Sequence, residues 1–122
     1  MSFFITTPIY YVNDVPHIGH AYTTIACDIF SRFNKLKRED TFFLTGTDEH
    51  GQKVEKAALV QKNDTQKFVD EMSQNFRELV PFLGCDNDDF IRTTDDKHKS
   101  AAQFLWNKLK SNNQIYLSNY EG

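Results

Sequence analysis

His17 and His20 are the first residues in this chain whose types and spacing point to chemistry. Three residues apart on a helix they share one face, so their imidazoles project together. They follow Asn13-Asp14-Val15-Pro16, a run of turn and cap residues with a proline suited to a first helical turn. A helix start offers unpaired backbone N–H groups and a positive dipole end, which suits a phosphate. Gly19, between the histidines, lacks a Cβ, so a flat base could lie against the backbone. Imidazole N–H groups could donate to a phosphoryl oxygen as charge builds on it. Taken alone, the pair reads more readily as two surface histidines at a helix cap beside a packing glycine. A zinc site is disfavoured: no third ligand accompanies them, and helical zinc pairs usually sit four apart.

A second polar cluster is Thr47-Asp48-Glu49-His50-Gly51. What brings the two clusters together must be read from the elements around them. Phe3 to Thr7 is an apolar, β-prone run ended by Pro8. Tyr22, Ile25, Ala26, Ile29, Phe33 and Leu36 recur at helical spacing and predict a helix with one apolar face, closing at Lys35-Lys37-Arg38. Thr41 to Thr45 predicts a second strand, closed by Gly46. Strand, helix, strand with short links is a βαβ unit, with parallel pairing and a right-handed crossover. In open α/β sheets ligands collect at the carboxyl ends of strands. Both polar clusters fall there, so they should face one crevice.

Beyond Gly51 the pattern is helical. Lys53 to Gln61 is one helix; Phe68, Met72, Phe76, Leu79 and Leu83 mark another, stopped by Pro81 and Gly84. Asp86 to Asp89 reads as a loop and Phe90-Ile91-Arg92 as a brief strand. Asp95 could cap a helix whose inner face is Ala101, Ala102, Leu105, Trp106 and Leu109. Ser111-Asn112-Asn113 ends it, and Ile115-Tyr116-Leu117 predicts a last strand. Trp106 and the Phe68-Met72-Phe76 stripe read as core packing, and Lys97, Lys99, Lys108 and Lys110 as a solvated face. The fold class is α/β, with helices flanking a mostly parallel sheet.

Bulk properties narrow the function classes. With 122 residues the chain has room for one domain and one core. A formal net charge of -3 excludes a bulk field drawing it to nucleic acid, which argues against a free-standing RNA-binding module. Cys27 and Cys85 lie outside any CxxC or CxxH spacing and read as buried thiols of a reducing cytoplasm. Met1 to Ile5 lacks the basic start and long apolar run of a signal peptide, and no apolar stretch approaches about 18 residues. A soluble cytoplasmic protein is expected.

The motifs carry a resemblance. His17-Ile18-Gly19-His20 looks like the HIGH motif of class I aminoacyl-tRNA synthetases. In order along the chain stand TTPIYYVN from Thr6, PHIGHAY from Pro16, FLTGTDEHGQK from Phe43, FIRTTD from Phe90 and IYLSNYEG from Ile115. That combination resembles the bacterial-type methionyl-tRNA synthetases over nearly the whole chain. The resemblance implies the N-terminal half of a Rossmann-like (HUP-type) nucleotide-binding fold, with residues 1–122 as the first part of the catalytic domain. It implies a methionine–tRNA ligase that uses ATP, accompanied by Mg2+, to make methionyl-adenylate and then charges tRNA(Met). His17 and His20 would bind and stabilise the triphosphate, and Gly19 would admit adenine. Ile9 and Tyr11 would line the methionine pocket, Asp48 would hold the substrate ammonium, and His50 would border that site. Asp48 could instead cap the helix after Gly51. Ile9 and Tyr11 could equally be packing residues.

The family pattern also includes a KMSKS loop, a connective insertion and anticodon-binding helices, and no KMSKS sequence occurs here. The expectation is a fragment that is inactive alone and self-associates through an uncovered face. Two rival readings are a small HxGH-type adenylyltransferase and a non-catalytic remnant that binds ATP or a partner.

Overall fold

The computed structural model of the chain describes residues 2–119. Strand β1 (Ser2–Thr6) and the two-residue β2 (Tyr10–Tyr11) precede helix α1 (Ile18–Leu36). Strand β3 (Asp40–Asp48), helices α2 (Gln52–Val60) and α3 (Thr65–Phe82), strand β4 (Asp89–Arg92) and helix α4 (Asp96–Ser111) follow. Every strand pairing is parallel, and β3 is the hub. Leu44 and Thr47 each have a partner on both sides, so β1 and β2 share one edge of β3 and β4 takes the other.

Pro8 breaks the first edge. Thr7 still donates its N–H to Leu44 O at 3.2 Å and shares a 2.7 Å hydroxyl contact with Thr45. Pro8 has no N–H to continue the ladder. When pairing resumes, one residue has been gained: Phe4 pairs with Phe42, an offset of 38, but Tyr10 pairs with Thr47, an offset of 37. Because side chains alternate, this bulge swaps the faces. Phe4 stacks on Phe42 on an exposed face, whereas Tyr10 turns into the core and Tyr11 turns out beside Asp48.

Strand β3 runs past Gly46 to Asp48, beyond the end expected at that glycine. A Cβ there would stand 2.0 Å from the backbone O of Ile91, so the glycine admits β4 rather than closing the strand. Pro81 likewise sits inside the last turn of α3; the helix stops at Leu83, with Gly84 in the left-handed region at φ 69°. Asp95 is the N-cap residue of α4, but its side chain makes no cap bond and instead accepts the Arg92 N–H. Residues 114–119 form no strand, so the expected Ile115–Leu117 strand is absent. Tyr120 to Gly122 lie outside the described residues.

The core lies between the sheet and α2–α3, where Val12, Phe68, Val69 and Phe76 are buried as the stripe on α3 predicts, with Met72 against them. Two other apolar faces are reversed from expectation. Helix α1 meets the sheet with Ala21, Thr24, Cys27, Asp28, Ser31 and Asn34, a small and polar stripe at the same helical period. Small residues allow close approach, and four of the polar ones are bonded: Thr24 to Tyr10, Cys27 to Thr6 O, Asp28 to Arg32 and Asp86 N, and Asn34 to Phe30 O. The larger stripe faces away, with Tyr22 76% and Leu36 83% exposed. Helix α4 buries none of its residues, so Ala101, Ala102, Leu105, Trp106 and Leu109 are not an inner face here.

Both crossovers advance the same way across β3, and right-handed crossovers then place α1 and α2–α3 on one sheet face. The other face shows Phe4 and Phe42 to solvent. With the β1 edge also unpaired among the described residues, the 122-residue chain alone should self-associate. Light scattering at micromolar concentration should show dimers or larger species, and Ile29→Glu with Phe33→Glu should reduce them without changing helix content. A monodisperse wild-type monomer would contradict this account of the exposed faces.

Candidate active site

Helix α1 begins in an unusual reciprocal cap built from the histidine pair. His17 is the N-cap residue, with extended backbone, and its Nδ1 accepts the Gly19 N–H at 3.1 Å. His20 reaches back, and its Nδ1 accepts the His17 N–H at 3.0 Å. The arrangement is a capping box with imidazoles in place of the usual hydroxyl and carboxylate. A backbone N–H can only donate, so Nδ1 of each ring is the acceptor. The ring proton therefore sits on Nε2 in both, leaving two Nε2–H donors. The rings lie 3.8 Å apart. A Cβ on Gly19 would stand 2.9 Å from His17 Cε1, so the glycine also makes room for the ring to fold back.

His20 is held from below. The buried Tyr10 ring meets it edge-on at 4.8 Å and Phe76 of α3 at 5.0 Å. Tyr10 Oη donates toward His20 O at 3.3 Å and contacts Thr24 Oγ1 at 3.0 Å, and burial pushes its phenol pKa up, keeping it a donor. Burial, and secondarily the neighbouring His17, hold the His20 imidazole below its ordinary pKa. Tyr10 was not singled out from sequence. Its signal was faint: one of two adjacent tyrosines, distinguished only by the bulge.

His17, Gly19, His20, Ile9 and Tyr11 line one crevice of about 590 Å³, together with Thr23 and the Asn13–Val15 turn. Ile9 and Tyr11 are both exposed among the described residues. Asp48 does not line that crevice; it pairs with Tyr11, which does, and parallel partners share a sheet face. Among the described residues its carboxylate accepts only the His50 N–H, at 3.4 Å, and α2 has Gly51 at its N-cap with no side-chain bond. The capping alternative for Asp48 therefore fails. His50 is turned toward β4, with Nε2 3.2 Å from Thr93 O.

Between Asp48 and His50 lies Glu49, also unpredicted. Its side chain is fully buried and receives Arg92 Nε at 2.7 Å and Nη2 at 2.9 Å, Thr47 Oγ1 at 2.7 Å, and Thr94 Oγ1. Arg92 also reaches Asp70 of α3 at 2.5 Å and holds its pKa down. Among the described residues, no group of three or more His, Cys, Asp or Glu side chains is placed to hold a metal, and no helix is long and apolar enough to cross a membrane.

This geometry can be set beside known proteins. Residues 3–122 match the family model described as tRNA synthetases class I (M). The chain belongs to that family. It is 58% identical over 121 residues to the methionine–tRNA ligase of Rickettsia bellii, covering 99% of this chain and 24% of that protein. To the Thermotoga maritima methionine–tRNA ligase it is 52% identical, covering 19% of that protein. Among solved structures it is similar to Mycobacterium tuberculosis methionyl-tRNA synthetase in complex with methionyl-adenylate, with TM-score 0.95, 44% identity and 99% of this chain covered. The chain thus spans about a fifth to a quarter of the length of these relatives. The class I synthetase fold expected from the motifs is the fold observed.

The histidine cap has a pH signature. A His20 pKa lowered by folding means that the unfolded chain binds the extra proton first, so stability is full above about pH 6.5 and falls as pH drops below it. The groups packed on His20 are His17 on its own helix, Tyr10 from β2 and Phe76 from α3. Melting temperature measured from pH 8 to 5.5 should fall less steeply in His20→Gln than in the wild type. Equal slopes would refute the cap as drawn.

Proposed function

We propose that this segment forms one side of a site that activates methionine with ATP and hands the methionyl group to tRNA(Met). The observation that carries the reading is the Tyr11–Asp48 strand pairing, which sets a carboxylate beside Tyr11, a residue of the crevice that His17 and His20 also line. One end suits an ammonium and the other a phosphate, and methionyl-adenylate has both. The M. tuberculosis relative, whose structure holds that intermediate, supports the same reading.

In the proposed reaction the methionine carboxylate attacks the α-phosphorus of ATP, an O–P bond forms, and pyrophosphate leaves with the electron pair of the broken bond. A terminal ribose hydroxyl of the tRNA then takes the methionyl group and AMP departs. A carboxylate is already ionised near neutral pH, so the first step needs no general base. Positioning and charge stabilisation carry it. His17 and His20 are the catalytic residues, each donating Nε2–H to phosphoryl oxygens as negative charge grows. Because each ring accepts a backbone N–H at Nδ1, it donates without first taking up a proton.

Gly19 leaves the helix start open to adenine. Ile9 and Tyr11 face the methionine side chain, Asp48 takes the ammonium, and His50 borders that end. Magnesium enters as part of the ATP substrate. In this reading residues 1–122 are the first part of a catalytic domain, with the connective, KMSKS and anticodon-binding regions outside them. They supply one side only and are assigned no turnover alone. The proposed location is the cytoplasm, consistent with two free thiols among the described residues.

Two substitutions in the full-length protein carrying this segment separate the two ends of the site. His20→Ala should slow methionine-dependent ATP–pyrophosphate exchange by ~100-fold or more with a much smaller change in KM for ATP. Asp48→Asn should weaken methionine binding with the melting temperature within a few degrees of wild type. Normal exchange in His20→Ala, or unfolding with unchanged methionine affinity in Asp48→Asn, would overturn the assignment.

A further inference from the structure

We propose that Arg92 is a positioning residue for the amino end of the substrate, acting through Glu49 on the turn that carries Asp48 and His50. The proposal rests on the function assigned above to Asp48. Its own ground is the two-point bond by which Arg92 holds the buried Glu49 carboxylate within that turn.

The ladder between β3 and β4 ends at Thr47–Arg92, and the ladder between β2 and β3 ends at Tyr11–Asp48. Past those pairs the chain runs to Gly51, whose φ of 116° belongs to the region that favours glycine. Glu49 fastens the segment at four carboxylate contacts, two of them from the Arg92 guanidinium, and donates its own N–H to Thr93 Oγ1 at 2.8 Å. A two-point guanidinium–carboxylate pair fixes angle as well as distance. Alternation along β3 puts Glu49 on the face opposite Asp48, so the pair sets the backbone bearing Asp48 without entering the crevice. The third bond of Arg92, to Asp70, ties this arrangement to α3. A buried ion pair is poor value as stability alone, since an apolar side chain serves as well. What the pair supplies at this place is orientation.

The test uses the full-length protein carrying this segment, with Arg92→Met, Arg92→Lys and Arg32→Met. Arg32→Met removes an arginine–carboxylate pair on α1, away from the turn. Arg92→Met should raise KM for methionine about tenfold, as losing an outer partner of a binding group does, with KM for ATP within about twofold. Arg92→Lys keeps the charge but not the two-point geometry, and should raise it by about threefold. Arg32→Met should move neither KM. If Arg92→Met fails to fold, Arg92→Lys carries the same comparison.

A second readout is independent of the activity. In 13C-histidine-labelled protein, Arg92→Met and Arg92→Lys should shift the His50 imidazole resonances and leave those of His17 and His20 in place. If wild type shows no methionine-dependent exchange, the functional reading fails while the His50 shift still reports on the turn. Unmoved His50 resonances, or equal rises in both KM values, would overturn the proposal and leave Arg92 a structural residue.

Discussion

Between Thr6 and Tyr10 the first edge of the sheet gains one residue relative to β3, and the faces of the two strands change places there. In an uninterrupted strand Tyr10 would share the exposed face with Phe4, and Tyr11 would point into the core. The bulge buries Tyr10 under His20 and stands Tyr11 beside Asp48. Both clusters take their positions from this offset. It is enforced by Pro8, which cannot donate to the ladder, and by the Thr7–Thr45 contact that holds the strands together across the gap.

The histidine pair shows how one local arrangement can serve folding and chemistry together. Its Nδ1 atoms satisfy two of the orphan N–H groups at the start of α1, a service that side-chain caps typically contribute at about 1 kcal/mol. The same bonds leave Nε2–H on both rings and hold them close together, tilted by 34°. An aspartate cap would satisfy the helix and, being acceptor-only, present no donor. Gly19 contributes twice, leaving room for the folded-back His17 ring and an open helix start. On the other side of the crevice Glu49 and Arg92 work in the opposite manner, away from the site and on its backbone.

How much of this could be read in advance depended on range. His17, Gly19 and His20 were legible because their types, spacing and position at a helix start are local facts. Asp48 was legible as a polar residue at a strand end, and parallel pairing then placed it. Gly46 was misread because a glycine within a strand looks like a stop until the strand beside it is known. The stripes of α1 and α4 were visible in the sequence, but periodicity says only that a face is apolar, not what covers it. On α1 a second stripe of small and polar residues shared the period and won the contact with the sheet. Tyr10 depended on a one-residue offset, and Glu49 on an arginine 43 positions away, so neither had a local signal.

The account stands or falls on a single bound geometry. A crystal structure of the full-length protein carrying this segment, with a non-hydrolysable methionyl-adenylate analogue, should place the ammonium against Asp48 and Tyr11. It should place the phosphoryl-equivalent oxygens within hydrogen-bonding distance of Nε2 of His17 and His20, with Nδ1 of both rings still on the backbone. An analogue bound with its ammonium away from Asp48, or with the histidines turned so that Nδ1 meets the ligand, would contradict it.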